Sequence, residues 1–270
     1  MAPRMPHRMA PWIAPWIASA ALLAACGAAE VPGAAPGAGR HLILISIDTL
    51  RPDRLGCYGH ARDTSPALDR LAREGVLFED VTSASPWTLP AHASLLTGHY
   101  ASRHGVVDLT RRLDAALPTL ASLLGERGYA TAAVVNSSNL TERHGLERGF
   151  EQFHHVPELA DDGSIPDGAA EVLAHARPML ERRGERPLFL FLHFYDVHSD
   201  YAPDEAYRAR FVRPYAGTLA GRTAELLELR QRGAPLEAAD VEHLLDLYDA
   251  EIRQLEIGRA SCRERVLFAV

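Results

Sequence analysis

His41-Leu-Ile-Leu-Ile-Ser-Ile47, followed at once by Asp48 and Thr49, is the stretch that decides the fold. The run is apolar and rich in β-branched residues, without the polar alternation of a strand that has one face in water. Such a run suits a strand buried on both faces, inside a parallel sheet covered by helices. Leu188 to Tyr195, LFLFLHFY, repeats the pattern, and Val76 to Val81 and Ala130 to Val135 read as two further strands. Helical signals lie between them. Ser65 and Pro66 open one helix, which carries Leu68, Leu71 and Ala72 and stops at Gly75. Pro90 to Leu96 and Pro118 to Arg127 each end at a glycine, Gly98 and Gly128. Ala169 to Arg183 places Leu173, Ala176 and Leu180 on one face, and Thr218 to Leu255 is mostly helical. Strands alternating with helices predict a three-layer α/β fold with a mostly parallel sheet flanked by helices.

Ligands of such sheets bind outside the carboxyl ends of the strands. Four polar segments fall there, although the strands feeding them are apolar: Asp48-Thr49, Ser85 to His92, Asn136, and Asp196 to His198. Asp48 is a candidate metal ligand, or else the acceptor of an Asx turn before Pro52. Thr88 precedes a short helix, where backbone N–H groups favour an anion. Its hydroxyl is a candidate nucleophile, or else a helix N-cap. His193 shares the face of Phe189 and Phe191, so it is either a core histidine or a substrate contact beside Asn136. His198 lies beyond the strand, where it could donate to an anionic ester or protonate a leaving group, with Asp196 and Tyr201 to orient it.

The 270 residues are 47% apolar and 23% charged, with a net charge of −7 and no basic stripe, which argues against nucleic acid as a partner. All 28 cationic residues are Arg, so a cation in a site here must be Arg, His or a metal. Residues 1–25 read as a signal peptide, with Arg4 and Arg8 before an apolar run too short to span a bilayer. Leu23-Ala24-Ala25-Cys26 resembles a bacterial lipobox. That predicts export and a lipid on Cys26 that holds the protein to a membrane of the cell envelope. Residues 26–40, rich in Gly, Ala and Pro, read as a flexible tether. Cys57 reads as a small packed side chain. Residues 256–270 read as a tail foreign to the domain, since EIGRASCRERV back-translates to a string resembling a sequencing adapter. The expectation is that nothing from about residue 256 onward touches the core.

Five linked blocks resemble the sulfatase branch of the alkaline phosphatase superfamily. They are ILISIDTLRPDRLGCYG from Ile43, TSPALDRLAREGVLFEDVTSASPWTLPAHASLLTG from Thr64, HGLERGFEQF from His144, FLHFYDVHSDYAP from Phe191 and LYDAEIRQLE from Leu247. The resemblance implies that residues 41–255 are a partial, C-terminally truncated catalytic domain of a metal-dependent hydrolase of sulfate or phosphate esters. It implies Thr88, His92 and His198 as catalytic residues, with His92 and His198 touching the anionic group. It implies Asp48 and Thr88 as ligands of a divalent metal, calcium in the first instance and zinc or manganese as alternatives. The substrate would be an anionic ester, such as a sulfated or phosphorylated glycan or lipid.

Two positions depart from the family pattern. Thr88 stands where sulfatases carry the Cys or Ser that becomes formylglycine, and Thr cannot be converted in that way. This opens the alternative of a phosphodiesterase or phospho-group transferase that uses Thr88 directly. Thr49 replaces the second Asp of the usual metal-binding pair. Further metal ligands and a smaller domain follow downstream in family members, so this chain alone is expected to be inactive. A third reading is a non-catalytic surface lipoprotein that binds anionic glycans.

Overall fold

The protein is described here from a computed structural model, over residues 40–158, 168–181, 184–233, 235–256 and 265–269. Residues 1–39, on which the signal-peptide, tether and Cys26 expectations fall, and Cys262 lie outside the described residues. The strands are β1 (Leu42–Ile47), β2 (Ala130–Val135), β3 (Gln152–His155), β4 (Leu188–Phe194) and β5 (Arg265–Ala269). They form one sheet in the order β3-β2-β4-β1-β5, and every pairing is parallel. The helices are α1 (Pro66–Glu74), α2 (Thr88–Thr97), α3 (Ala101–His104), α4 (Leu120–Glu126), α5 (Gly168–Glu181), α6 (Glu205–Phe211), α7 (Thr223–Arg232) and α8 (Ala238–Leu255).

The period of two along β1, β2 and β4 sorts their side chains onto two cores. Ile43, Ile45 and Ile47 of β1 join Leu190, Leu192 and Phe194 of β4, and pack under Val172 and Ala176 of α5 and Tyr248 and Ile252 of α8. Leu44, Phe189 and Phe191 face the other way, under Leu89, Ala93 and Leu96 of α2 and Ala121 of α4. The three-layer expectation is therefore met, with β1 and β4 as the doubly buried central pair.

Two expectations are not met. Val76 to Val81 forms no strand: Val76, Phe78 and Val81 are 80%, 68% and 69% exposed. Their composition favours a strand, but a strand exists only with a ladder partner, and no described strand pairs with this segment. Nor is the chain from residue 256 onward free of the core. The Glu256 carboxylate accepts from the backbone N–H groups of Ala67 (2.7 Å) and Leu68 (3.4 Å) in the first turn of α1. Residues 265–269 pair with Leu42 to Ser46. An open edge of a parallel sheet offers unpaired N–H and C=O groups to any strand-forming run, and RVLFA is one.

Candidate active site at the carboxyl edge of the sheet

The site begins where β1 ends. Ser46 and Asp48 continue the alternation of Leu44, and so point to the α2 side. In register beside Ser46 on β4 is His193, which continues the alternation of Phe189 and Phe191. The side chains at this edge are thus set by strand period and register, while α2 closes over them.

Thr88 is the first residue of α2. Trp87 occupies the cap position and makes no side-chain cap bond. The Thr88 hydroxyl is directed elsewhere: Oγ1 donates to Asp48 Oδ2 at 2.8 Å, across 40 positions of sequence. This decides both open readings against local turn chemistry. Thr88 is not an N-cap, and the Asp48 carboxylate, 9% exposed, holds a hydroxyl from another element in place of an Asx turn. The fully buried Leu89 pins the helix start against the sheet.

His92 lies one turn further along α2. Its Nδ1–H donates to the Thr88 carbonyl at 2.7 Å, and its Nε2 lies 2.8 Å from the Ser46 hydroxyl. Burial pushes its ring down towards the neutral form, so Nε2 accepts from Ser46. Both nitrogens are spent inside the protein. The expected contact of His92 with an anion is replaced by a positioning role that ties α2 to β1.

His193 is fully buried. Its ring lies edge-on to His92 with centroids 4.9 Å apart, and its Nε2 faces Asp48 Oδ2 at 3.8 Å. Burial holds it well below the usual histidine range, helped by the neighbouring His92 and His198. His198 donates from Nδ1 to the Ser199 carbonyl at 2.9 Å and stacks on Tyr195 at 4.3 Å. Burial pushes the Tyr195 hydroxyl up to about 12, so it stays protonated.

The expected partners of His198 also make contacts elsewhere. Asp196 accepts from the N–H of Ala169 at 2.8 Å and so caps the start of α5. Tyr201 packs edge-on to Tyr248, 5.7 Å away in the core. Asn136 is not aimed at a ligand: its Nδ2 donates to the carbonyls of Val156 (3.1 Å) and Pro157 (3.3 Å). Gly168 leaves room for it, since a Cβ there would stand 2.4 Å from Asn136 Oδ1.

Behind the site, α8 clamps the turn after β1. The buried Tyr248 hydroxyl donates to the Thr49 carbonyl at 2.8 Å and accepts from the Arg51 N–H at 2.8 Å. Asp249, with a fully buried side chain, takes both arms of Arg54 at 2.8 and 2.6 Å and one from Arg62 at 2.9 Å. Asp246 binds Arg62 and Arg213. A cleft of about 320 Å³ opens at this cluster, away from Thr88, but its guanidinium groups are matched by Asp246, Asp249 and Glu242. Ser46, Tyr195, Tyr248 and Asp249 were not among the sequence candidates. Only Ser46 carried a local signal, as the one polar residue inside the β1 run.

Thr49 has φ 56°, in the left-handed region that a β-branched residue avoids. Its Oγ1 donates to the Val197 carbonyl at 3.1 Å, away from Asp48. The position that would carry a second metal-binding carboxylate therefore contributes no ligand. Among the described residues, no group of three His, Cys, Asp or Glu side chains converges as a metal shell. Asp48 and Thr88 fit two positions of such a shell, as a carboxylate and a hydroxyl sharing one point in space.

Residues 40–255 match the family model described as Sulfatase. The chain belongs to the sulfatase family. Mouse steryl-sulfatase is 38% identical over 136 residues, which is 43% of this chain and 22% of the relative. The chain therefore spans under a quarter of that sulfatase. Two solved structures share the alkaline phosphatase-like α/β fold. Phosphonate monoester hydrolase of Agrobacterium radiobacter superimposes with a TM-score of 0.63 at 22% identity, covering 82% of this chain and 57% of that one. The C-terminal periplasmic domain of EptC from Escherichia coli, in complex with Zn, gives 0.58 at 18% identity, covering 82% and 58%.

Proposed function

We propose that this sulfatase-family chain carries the nucleophile half of a metal-dependent hydrolase of sulfate or phosphate esters, and that Thr88 itself is the nucleophile. The observation that carries the reading is the 2.8 Å bond from Thr88 Oγ1 to Asp48 Oδ2 at the carboxyl edge of the sheet. A threonine serving only as a helix cap would bond its own helix. This one is oriented by a carboxylate from another strand, at a helix start suited to an anion.

Asp48 and Thr88 would hold a divalent metal, which when bound supplies positive charge to the ester oxygens and makes the hydroxyl more acidic. Asp48 Oδ2, which accepts the Thr88 hydroxyl bond, takes its proton as the oxygen attacks. A Thr88 Oγ–P or Oγ–S bond would form as the bond to the leaving oxygen breaks. That oxygen would take a proton from His198, whose Nδ1 is held by Ser199 and whose Nε2 is left for the ester. Water, giving a proton to the now neutral His198, then attacks the phosphorus or sulfur, and the proton held on Asp48 returns to the Thr88 oxygen as its bond breaks. Because Thr cannot become formylglycine, phosphodiesters or phosphonates are favoured over sulfates.

The test needs the full-length enzyme. Thr88→Ala should lower kcat/KM by at least about 10³-fold, while Thr88→Ser retains measurable turnover. Aryl phosphodiesters should be cleaved at least as fast as aryl sulfates. Undiminished hydrolysis by the Ala variant would reduce Thr88 to a structural residue.

We also propose that the mature protein is held to the cell envelope by lipid on Cys26, with the Gly/Ala/Pro stretch as its tether. Support comes from the residues before Cys26 alone. Cys26→Ala should shift the protein from the membrane to the soluble fraction. Unchanged fractionation would remove the anchor.

A further inference from the structure

His193 is fully buried, and neither ring nitrogen has a hydrogen-bond partner. Buried polar atoms are rarely left so, and an orphan at a candidate metal site points to a missing partner. The Asn136 carbonyl is near enough to favour a ring proton, yet outside hydrogen-bond geometry. On the other side, Nε2 faces Asp48 Oδ2 at 3.8 Å. That separation is too long for a hydrogen bond. It is within the reach of two bonds of about 2.0–2.2 Å made to one cation.

His92, the ring beside His193, has both nitrogens engaged with Ser46 and Thr88. The same Asp48 Oδ2 takes the Thr88 hydroxyl, so Thr88 and His193 both face one carboxylate oxygen. Thr49, meanwhile, has turned its oxygen away to Val197.

We propose that His193 Nε2 is a ligand of the metal held by Asp48, replacing the oxygen ligand lost at Thr49, and that it selects zinc over calcium. Calcium takes oxygen ligands, whereas imidazole suits zinc. The inference rests on the functional reading above for the presence of a metal at Asp48.

The experiment uses the full chain, stripped with chelator and titrated separately with Zn²⁺ and Ca²⁺. Affinity is read by calorimetry and Tm by thermal unfolding. The parent should bind Zn²⁺ at least tenfold more tightly than Ca²⁺, and its Tm should rise only with Zn²⁺. His193→Gln and His193→Phe should each weaken Zn²⁺ by tenfold or more, without lowering the metal-free Tm. Asp48→Asn should abolish binding of either ion. If both His193 variants bind Zn²⁺ like the parent while Asp48→Asn does not, His193 is no ligand and the hydrolase reading stands. If Asp48→Asn also binds like the parent, or the parent binds neither ion, both the inference and the metal at Asp48 fail. Equal affinity of the parent for the two ions overturns the selectivity. A metal-free Tm that falls in both His193 variants makes His193 a packing residue and overturns the assignment.

Discussion

Thr49 is where a single residue is most at odds with its backbone. A β-branched side chain at φ 56° costs on the order of 1–3 kcal/mol, and such strain persists only where the surroundings enforce it. Here the enforcement is visible: the Tyr248 hydroxyl holds the Thr49 carbonyl and the Val197 carbonyl holds its Oγ1. Asp tolerates the left-handed region better and would return a second carboxylate to the turn. Thr49→Asp is therefore expected to raise divalent-metal affinity, Ca²⁺ most, by tenfold or more, while leaving the metal-free Tm within a few degrees. Calorimetry with Ca²⁺ checks it, and an unchanged affinity would show that the turn cannot present its side chain to Asp48.

At the scale of elements, α8 and the turn after β1 are held together by charge as much as by packing. Asp249, whose own side chain is fully buried, is the centre of that contact, with two bonds from Arg54 and one from Arg62. Removing one partner of such a buried pair strands the other charge, which costs about 3–5 kcal/mol. Asp249→Ala is expected to destabilise the chain by that amount in urea unfolding. An exposed pair such as Arg51 with Asp53 contributes at most about 1 kcal/mol, so Asp53→Ala is the control. Because Tyr248 sits next to Asp249 on the same helix, the variant should also loosen the Asp48 turn and weaken metal binding. A loss below about 1 kcal/mol would show the cluster to be dispensable.

For the whole molecule, the buried neutral histidines set the acid limit of stability. His92 and His193 are both pushed down by burial, so each binds a proton in the unfolded chain before it does in the folded one. Below an unfolded value of about 6.5 the unfolded state holds more protons, and stability rises with pH there. The contribution is complete above that pH and is lost as the pH falls below it. Asp246 adds a second loss in stronger acid. Burial alone would raise its carboxyl, but hydrogen bonds from Arg213 hold it below the ordinary value. Urea midpoints should be level between pH 7 and 8 and fall steadily from pH 6.5 to 5. His92→Gln and His193→Gln should each flatten that fall, and a midpoint that rises on acidification would contradict the neutral assignment.

The layers, the central strands and the ends at which chemistry collects were legible along the chain, because period and apolar runs are local properties. The β1 run announces burial on both faces, and the alternation in LFLFLHFY places His193 beneath α2 without any knowledge of neighbours. What each polar group does was not legible, because partners lie across the sheet. Thr88 reads equally as cap or nucleophile until Asp48, 40 positions away, is seen to hold its hydroxyl. Asn136 and His92 carry the residue types of a site, yet each is engaged by a contact that only the packed chain creates. The segment from Val76 to Val81 has the composition of a strand and lacks one in the structure, since a ladder belongs to two segments and composition to one. Sequence determined which groups reach the edge of the sheet. Tertiary structure decided which of them were left without a partner there, since hydrogen-bond satisfaction depends on distance in space.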